Sequence, residues 1–284
     1  MDSLDGQLIR SAVLQALDED LGTGDATSLA CIPADSVSTA RMNARECLTV
    51  SGLDFAEVAF RELAPNVQIT RYAVDGAVCA PGDPLLEVRG PTRALLSAER
   101  VALNYVQRLS GVATATARHV RAVSGTRARI LDTRKTTPGW RLFEKYAVRC
   151  GGGVNHRMGL HDRILIKDNH LAALADAEPD PVTAAVRRAR SQFPDLFVQV
   201  EADTPEQAQR AAEASADGVL LDNMPPEVLR ESLRRIAGRC QTEASGGVTE
   251  ATIRAIAETG VDFISVGAIT HSARAVDIGL DFLP

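Results

Sequence analysis

Lysine is nearly missing from this chain: of 31 cationic residues, all but Lys135, Lys145 and Lys167 are arginine. Aromatic residues make up only 4% of the 284, with a single tryptophan. No apolar run approaches the roughly 20 residues that a membrane span requires. Cys31, Cys47, Cys79, Cys150 and Cys240 are odd in number and scattered, with no CxxC pair and no Cys/His cluster of zinc spacing. That argues against a disulfide framework and a structural zinc, and leaves each thiol as a small buried hydrophobe. The five histidines form no HExxH. A net charge of -6 lacks the cationic surplus that nucleic-acid and membrane-surface proteins carry, so neither partner is expected. The opening stretch MDSLDGQLIR is acidic where a secretory signal is basic, and a cytoplasmic address is the expectation.

What is present is enough for a large core. With 45% hydrophobic and 24% charged residues, the chain can build one large or two ordinary domains. Its charge is unevenly placed. Between Arg127 and Lys167 stand ten Lys or Arg against three Asp or Glu, and the three lysines of the whole chain all fall there. Such a stretch is either a solvated basic face or a place where a compact, movable ammonium does what a guanidinium cannot.

Residues 7–21 carry Leu8, Ile9, Val13, Leu14, Leu17 and Leu21 at helical spacing. Short alternating segments follow near 37–43, 46–51, 67–74 and 85–89, with a helix near 53–64 and turns at Asp75-Gly76 and Pro81-Gly82-Asp83. This reads as an α+β, sandwich-like domain over residues 1–110. A long helical pattern then leads out of it, with an expected interruption and domain boundary at Gly111. From residue 128 the grammar changes to apolar bursts, each ending in a polar or glycine-containing tail: ARILDTRK, RILIKDNH, LFVQVEAD, GVLLDNMP, QTEASGG and FISVGAIT. Glu201 to Asp222 and Asp222 to Glu243 are both steps of 21 residues, the length of a compact βα unit. Residues 111–274 are therefore expected to form an incomplete α/β barrel of parallel strands, with the tail 275–284 packing back on the first domain. The barrel is preferred to a doubly wound sheet because each burst ends in a candidate functional group. CGGGVNHRMG lacks the spacing and the preceding strand of a dinucleotide fingerprint.

Arg134, Lys135, Arg157 and Lys167 follow such bursts or the glycine run. If these ends share one mouth, the cations converge, which is costly unless an anion is bound; singly, each reads as an ordinary surface ion pair. Glu201 and Asp222 end apolar strands opposite them. They suit a divalent cation, ribose hydroxyls or a positively charged transition state, or they merely neutralise the neighbouring cations. SGG at 245–247 precedes a helical stretch and GAITHS at 267–272 follows the last strand, so backbone amides there could cradle a phosphate.

DTRKT at 132–136, KYAVRCGGGVNHRMGL at 145–160, LIKDNH at 165–170, LLDNM at 220–224, ASGG at 244–247 and VGAITHS at 266–272 closely resemble the quinolinate phosphoribosyltransferase family. The resemblance runs from GDATS near the start to DIGL near the end. Ala244 stands where many members have serine, while Ser245 is retained. The resemblance implies transfer of phosphoribose from phosphoribosyl pyrophosphate to quinolinate, with Mg2+ and release of carbon dioxide. It implies Arg100, Thr133, Arg134, His156, Arg157 and Lys167 around quinolinate. Lys135, Lys167, Glu201, Asp222, Ser245, Gly246, Gly247, Ala268, Ile269, Thr270 and His271 would serve the phosphoribosyl donor. Lys135, Glu201 and Asp222 would be catalytic, with the two acids near the metal. It further implies a homodimer in which Arg100 enters the neighbouring subunit's site, whereas Lys145 is expected to be a surface cation. Rival readings are a Schiff-base lysine at Lys167, a non-catalytic anion sensor, and a barrel phosphoribosyltransferase for another acid.

Overall fold

A computed structural model describes residues 4–284, which fall into two compact units. One comprises residues up to 117 together with 142–152 and 272–284; the other comprises 118–141 and 153–271. In chain order the first stretch holds α1 (Gly6–Leu21), α2 (Ala26–Cys31), β1 (Val37–Ala44), β2 (Leu48–Thr49), α3 (Leu53–Leu63), β3 (Gln68–Arg71), β4 (Val78–Cys79), β5 (Pro84–Pro91) and α4 (Thr92–Ala122). Then come β6 (Arg129–Leu131), α5 (Arg141–Cys150), β7 (Ile164–Ile166), α6 (Asp168–Ala172), α7 (Pro181–Gln192), β8 (Val198–Ala202), α8 (Pro205–Glu213) and β9 (Gly218–Asp222). The chain closes with α9 (Pro226–Ile236), β10 (Gln241–Ser245), α10 (Ile253–Ala257), β11 (Phe263–Ser265), α11 (Ala268–His271) and β12 (Ile278–Phe282).

The first unit is built on an antiparallel sheet of order β12-β1-β5-β3, so the tail supplies an edge strand that pairs Ala44 with Ile278 and Ala40 with Phe282. Helix α1 starts where Asp5 accepts from the backbone of Gln7 and Leu8, and it buries Ile9, Val13 and Leu17. Leu14 remains 40% exposed, so its apolar stripe is narrower than the sequence spacing suggests. Phe55 of α3 stacks on Tyr105 of α4 at 4.6 Å and meets Phe143 of α5 edge-on at 5.0 Å, which concentrates scarce aromatic surface in one core. Asp75 does more than turn the chain. Its carboxylate accepts from Gly52 and Leu53 at the start of α3, and from the Tyr146 hydroxyl.

Two expectations fail here. Helix α4 runs through Gly111 without a break. The glycine is there for closeness, since a Cβ at that position would collide with the carbonyl of Arg274. Lys145 is not a surface cation but 1% exposed, on a helix in which Phe143, Glu144, Tyr146, Ala147, Val148 and Cys150 are buried as well. Its neighbour Glu144, fully buried, is paired with Arg108 at 2.7 Å.

The second unit is a six-stranded parallel sheet of order β6-β11-β10-β9-β8-β7, one strand for each apolar burst. Three crossover helices begin by the same device, a proline in the first helical turn; Asp180 caps α7 and Thr204 caps α8. Among the described residues no ladder joins β6 to β7; Leu131 bridges to Val154 instead, the open seam of an incomplete barrel. Register decides which side chains share a level. Glu201, Leu220 and Glu243 lie side by side on β8, β9 and β10, and Asp222 is level with Ser245 two residues further on.

The burial of Lys145 sets an expected outcome. Lys145→Ala should cost about 2–4 kcal/mol in urea unfolding, through lost packing of the stem and a stranded buried environment. A change within about 0.5 kcal/mol, the usual surface value, would contradict it.

Candidate active site

At the carboxyl ends of the six parallel strands lies a cavity of about 720 Å³, lined wholly by the second unit. Every strand contributes. Thr133, Arg134 and Lys135 follow β6, Lys167 follows β7, Glu201 and Asp222 stand on β8 and β9, and Ser245, Gly246 and Gly247 close β10. Gly267, Ala268 and His271 come after β11, and His156 and Arg157 from the segment bridged to β6. Ile269 and Thr270 are fully buried; the Thr270 hydroxyl donates to the carbonyl of Lys135 at 2.8 Å and so holds that loop. Arg100 belongs to the first unit, where it is exposed.

The cations are short of partners. Among the described residues no carboxylate lies within ion-pair reach of Arg134, Lys135 or Arg157. The buried Nε of Arg134 has no hydrogen-bond acceptor. Burial and then repulsion from Arg134 lower the pKa of the Arg157 guanidinium, against a smaller pull from Asp162. A bound anion would relieve all three. The contrast with a larger, open hollow at the amino ends of β9, β10 and β11 is instructive. There Arg127, Arg190 and Arg239 are each paired, with Asp262, Asp217 and Glu213.

The acids are placed differently from each other. Glu201 accepts the ammonium of Lys167 at 2.6 Å, which sets that nitrogen against a carboxylate rather than in the apolar pocket that Schiff-base chemistry uses. Asp222 accepts from the Asn223 amide at 2.6 Å. Asn223 itself has a left-handed backbone, φ +53°, and its N–H donates to the Ser245 carbonyl at 2.8 Å. Its side chain lies so close to Gly246, φ +87°, that any Cβ there would collide. Gly247, φ +60°, faces open space. The helical stretch expected directly after these glycines begins only at Ile253.

Sequence reasoning overlooked the residues beneath the cavity. Asp132, with no exposed surface, accepts the backbone N–H of His156 at 2.8 Å and the Asn155 amide at 2.6 Å. Glu243, 2% exposed, faces His156 and accepts the Gln199 amide at 2.8 Å. The available signals were an acid closing an apolar burst and the second 21-residue step, which ends on Glu243.

With this geometry in place, likeness to known proteins can be weighed. Residues 112–281 match the family described as "Quinolinate phosphoribosyl transferase, C-terminal domain", and residues 25–110 its N-terminal domain. A relative from Mycobacterium leprae, "Nicotinate-nucleotide pyrophosphorylase [carboxylating]", is 44% identical over 278 residues, covering 96% of both chains. A "Probable nicotinate-nucleotide pyrophosphorylase [carboxylating]" from Bacillus subtilis is 42% identical over 264 residues, 93% of this chain and 89% of that one. The solved structure of the nicotinate-nucleotide pyrophosphorylase from Francisella tularensis superposes with a TM-score of 0.93 at 39% identity, over 99% of this chain and 98% of the other.

The dicarboxylate phthalate is a direct probe of the two arginines that lack a carboxylate partner among the described residues. At about 100 times its Kd it should raise the Tm by about 5 °C, and Arg134→Ala or Arg157→Ala should remove most of that shift. Arg190→Ala, in the paired hollow, should leave it intact. Equal losses in all three variants would show that the cavity is not where the anion binds.

Proposed function

The chain belongs to the quinolinate phosphoribosyltransferase family, and on that premise we propose how its strand-end cavity divides its work between two substrates. The reaction is transfer of the phosphoribosyl group of phosphoribosyl pyrophosphate to quinolinate with decarboxylation, giving nicotinate mononucleotide, pyrophosphate and carbon dioxide in NAD biosynthesis. One observation carries the division: Arg134, Lys135 and Arg157, none of them within ion-pair reach of a carboxylate among the described residues, share a cavity with Glu201 and Asp222. Both substrates are polyanions, and the reaction passes through a cation.

Arg134, Arg157 and Lys167, with Thr133 and His156 on the wall, serve quinolinate. Guanidinium forks match its carboxylates in two-point contacts. Lys135 serves the pyrophosphate as a point charge, and the backbone at Ser245–Gly247 and 268–271 serves the sugar phosphate. As pyrophosphate leaves, positive charge grows on the anomeric carbon, where Glu201 and Asp222 stabilise it. The ring nitrogen of quinolinate attacks that carbon. Once alkylated, the nitrogen is a cation next to the departing carboxylate. It takes up the electron pair released with carbon dioxide, and the ring carbon then receives a proton from solvent. The substrate is its own electron sink.

Mg2+ fits the same residues. No group of three or more metal-ligating side chains occurs among the described residues, but Mg2+ commonly takes one or two carboxylates and fills its shell with water and substrate phosphates. Glu201 and Asp222 are that pair, and the ion would neutralise charge on the pyrophosphate oxygens. A cytoplasmic address is part of the same proposal; it is supported by five free cysteines, which suit a reducing compartment. No described helix is long and apolar enough to cross a membrane.

Incubation with quinolinate, phosphoribosyl pyrophosphate and Mg2+ should release carbon dioxide and mononucleotide one for one. Nicotinate, which lacks the second carboxylate, should be used at least about a thousandfold less well, since a site built around that group leaves its cations unpaired without it. Comparable kcat/KM values for the two acids would defeat the division of the cavity.

The assembly is proposed to be a homodimer in which Arg100 completes the neighbouring subunit's site. Arg100→Ala and Lys135→Ala subunits, each inactive alone, are mixed under exchange. Random pairing makes about half the dimers mixed, each with one intact site, so about a quarter of wild-type activity should return. No return, with exchange verified by mass, would place both residues in one subunit's site.

A further inference from the structure

The mechanism leaves unexplained why a carboxylate should sit at the floor of an anion site. Glu243 lies in β10, is 2% exposed, and lines both the catalytic cavity and a separate chamber of about 110 Å³ beneath it. Burial alone would raise its pKa; the hydrogen bonds from His156 and the Gln199 amide outweigh this and hold the group below its ordinary value. It is therefore an anion at working pH, and an anion that only accepts hydrogen bonds.

That one-sidedness has a geometric consequence. Nδ1 of His156 accepts the backbone N–H of Arg157 at 2.7 Å, so the ring proton is on Nε2, which faces Oε2 of Glu243 at 3.3 Å. The same oxygen takes the Gln199 amide at 2.8 Å, and the backbone of His156 is held from the other side by Asp132 at 2.8 Å. Both ring nitrogens face protein, although the ring lines the cavity. The imidazole is a strut between Glu243 and the backbone of Arg157 more than a hydrogen-bond donor to a ligand.

We propose that Glu243 is a positioning residue for quinolinate: because its carboxylate can only accept, it requires the His156 proton on Nε2 and so fixes the tautomer, and through Nδ1 it fixes the backbone from which the Arg157 guanidinium reaches the substrate. The inference rests on the assignment of Arg157 to quinolinate made above. A glutamine in place of Glu243 can donate as well as accept, which permits the Nδ1–H tautomer, and in that tautomer Nδ1–H opposes the N–H of Arg157.

Glu243→Gln should raise the KM for quinolinate about tenfold, the scale seen when the outer partner of an oriented histidine is lost, with the KM for phosphoribosyl pyrophosphate within about twofold. In protein labelled with 15N-histidine, wild-type His156 should show a protonated Nε2 and a bare Nδ1, and the variant a mixture of tautomers. Gln199→Met, which removes the other donor to Glu243, should raise the quinolinate KM about threefold and serves if the first variant does not fold. A wild-type His156 protonated at Nδ1, or KM values for both substrates that move together or not at all, would overturn the proposal. Arg157→Lys is the control for the reading beneath it. If that variant leaves the quinolinate KM unchanged, the assignment of Arg157 fails. If it raises the KM while Glu243→Gln does not, only the role of Glu243 fails.

Discussion

Repulsion between Arg134 and Arg157 is the constraint on which the second unit is organised. Two guanidinium groups, one with a buried Nε lacking an acceptor and one with its pKa lowered by burial and by its neighbour, are an unfavourable pair without an anion between them. The fold must hold them together against that force. Neither residue is on a strand. Arg157 is anchored through His156, whose ring takes its N–H and faces Glu243 of β10, and by its own bond to the Arg163 carbonyl; Arg134 follows two residues after Asp132, which holds the backbone of His156. A site that binds by relieving its own repulsion holds its ligand tightly only if it cannot relax when empty, so stiffness beneath the cavity is part of recognition.

The stiffness comes from buried acids. Asp132 and Glu243 would each be costly in the interior, and each is made tolerable by two hydrogen-bond donors, so the groups they hold cannot move without stranding a charge. Asn223 does the same by backbone means, with left-handed geometry that ties Asp222 to the Ser245 carbonyl and leaves room only for glycine at 246. The acids of this barrel thus divide by depth. Glu243 is buried against His156, while Glu201 and Asp222 are partly exposed in the cavity; on the proposed reading the first locks a strut and the other two face the chemistry.

Much of this was legible in the sequence because it follows from periodicity. Six apolar bursts became six parallel strands in one sheet, and the tails after them became the lining of one cavity. What stayed hidden depends on partners distant in the chain. Nothing local distinguishes Arg134, which ends without a carboxylate, from Arg190, which ends on Asp217. Nothing local shows that the glycine within α4 admits the carbonyl of Arg274, 163 residues later, or that the helix of Lys145 is buried almost all round. Local patterning sets which face of a strand looks inward; compensation of charge is a property of the assembled unit.

The scarcity of lysine acquires a physical meaning at this level. Two of the three lysines line the cavity, and both stand where a guanidinium would not serve. A Cβ on Gly267 would come within 3.1 Å of Cδ of Lys135, so glycine there clears the path of a thin stem. The planar fork of an arginine is wider than that stem and would aim two fixed bonds where a leaving pyrophosphate turns as it departs, whereas an ammonium carries its three donors on a rotor. Lys167 meets Glu201 through a single contact of 2.6 Å, so it can exchange that carboxylate for a substrate oxygen without undoing a two-point pair. On the proposed division, the arginine forks hold the dicarboxylate in two-point contacts, while the rotor of Lys135 follows the pyrophosphate as it leaves.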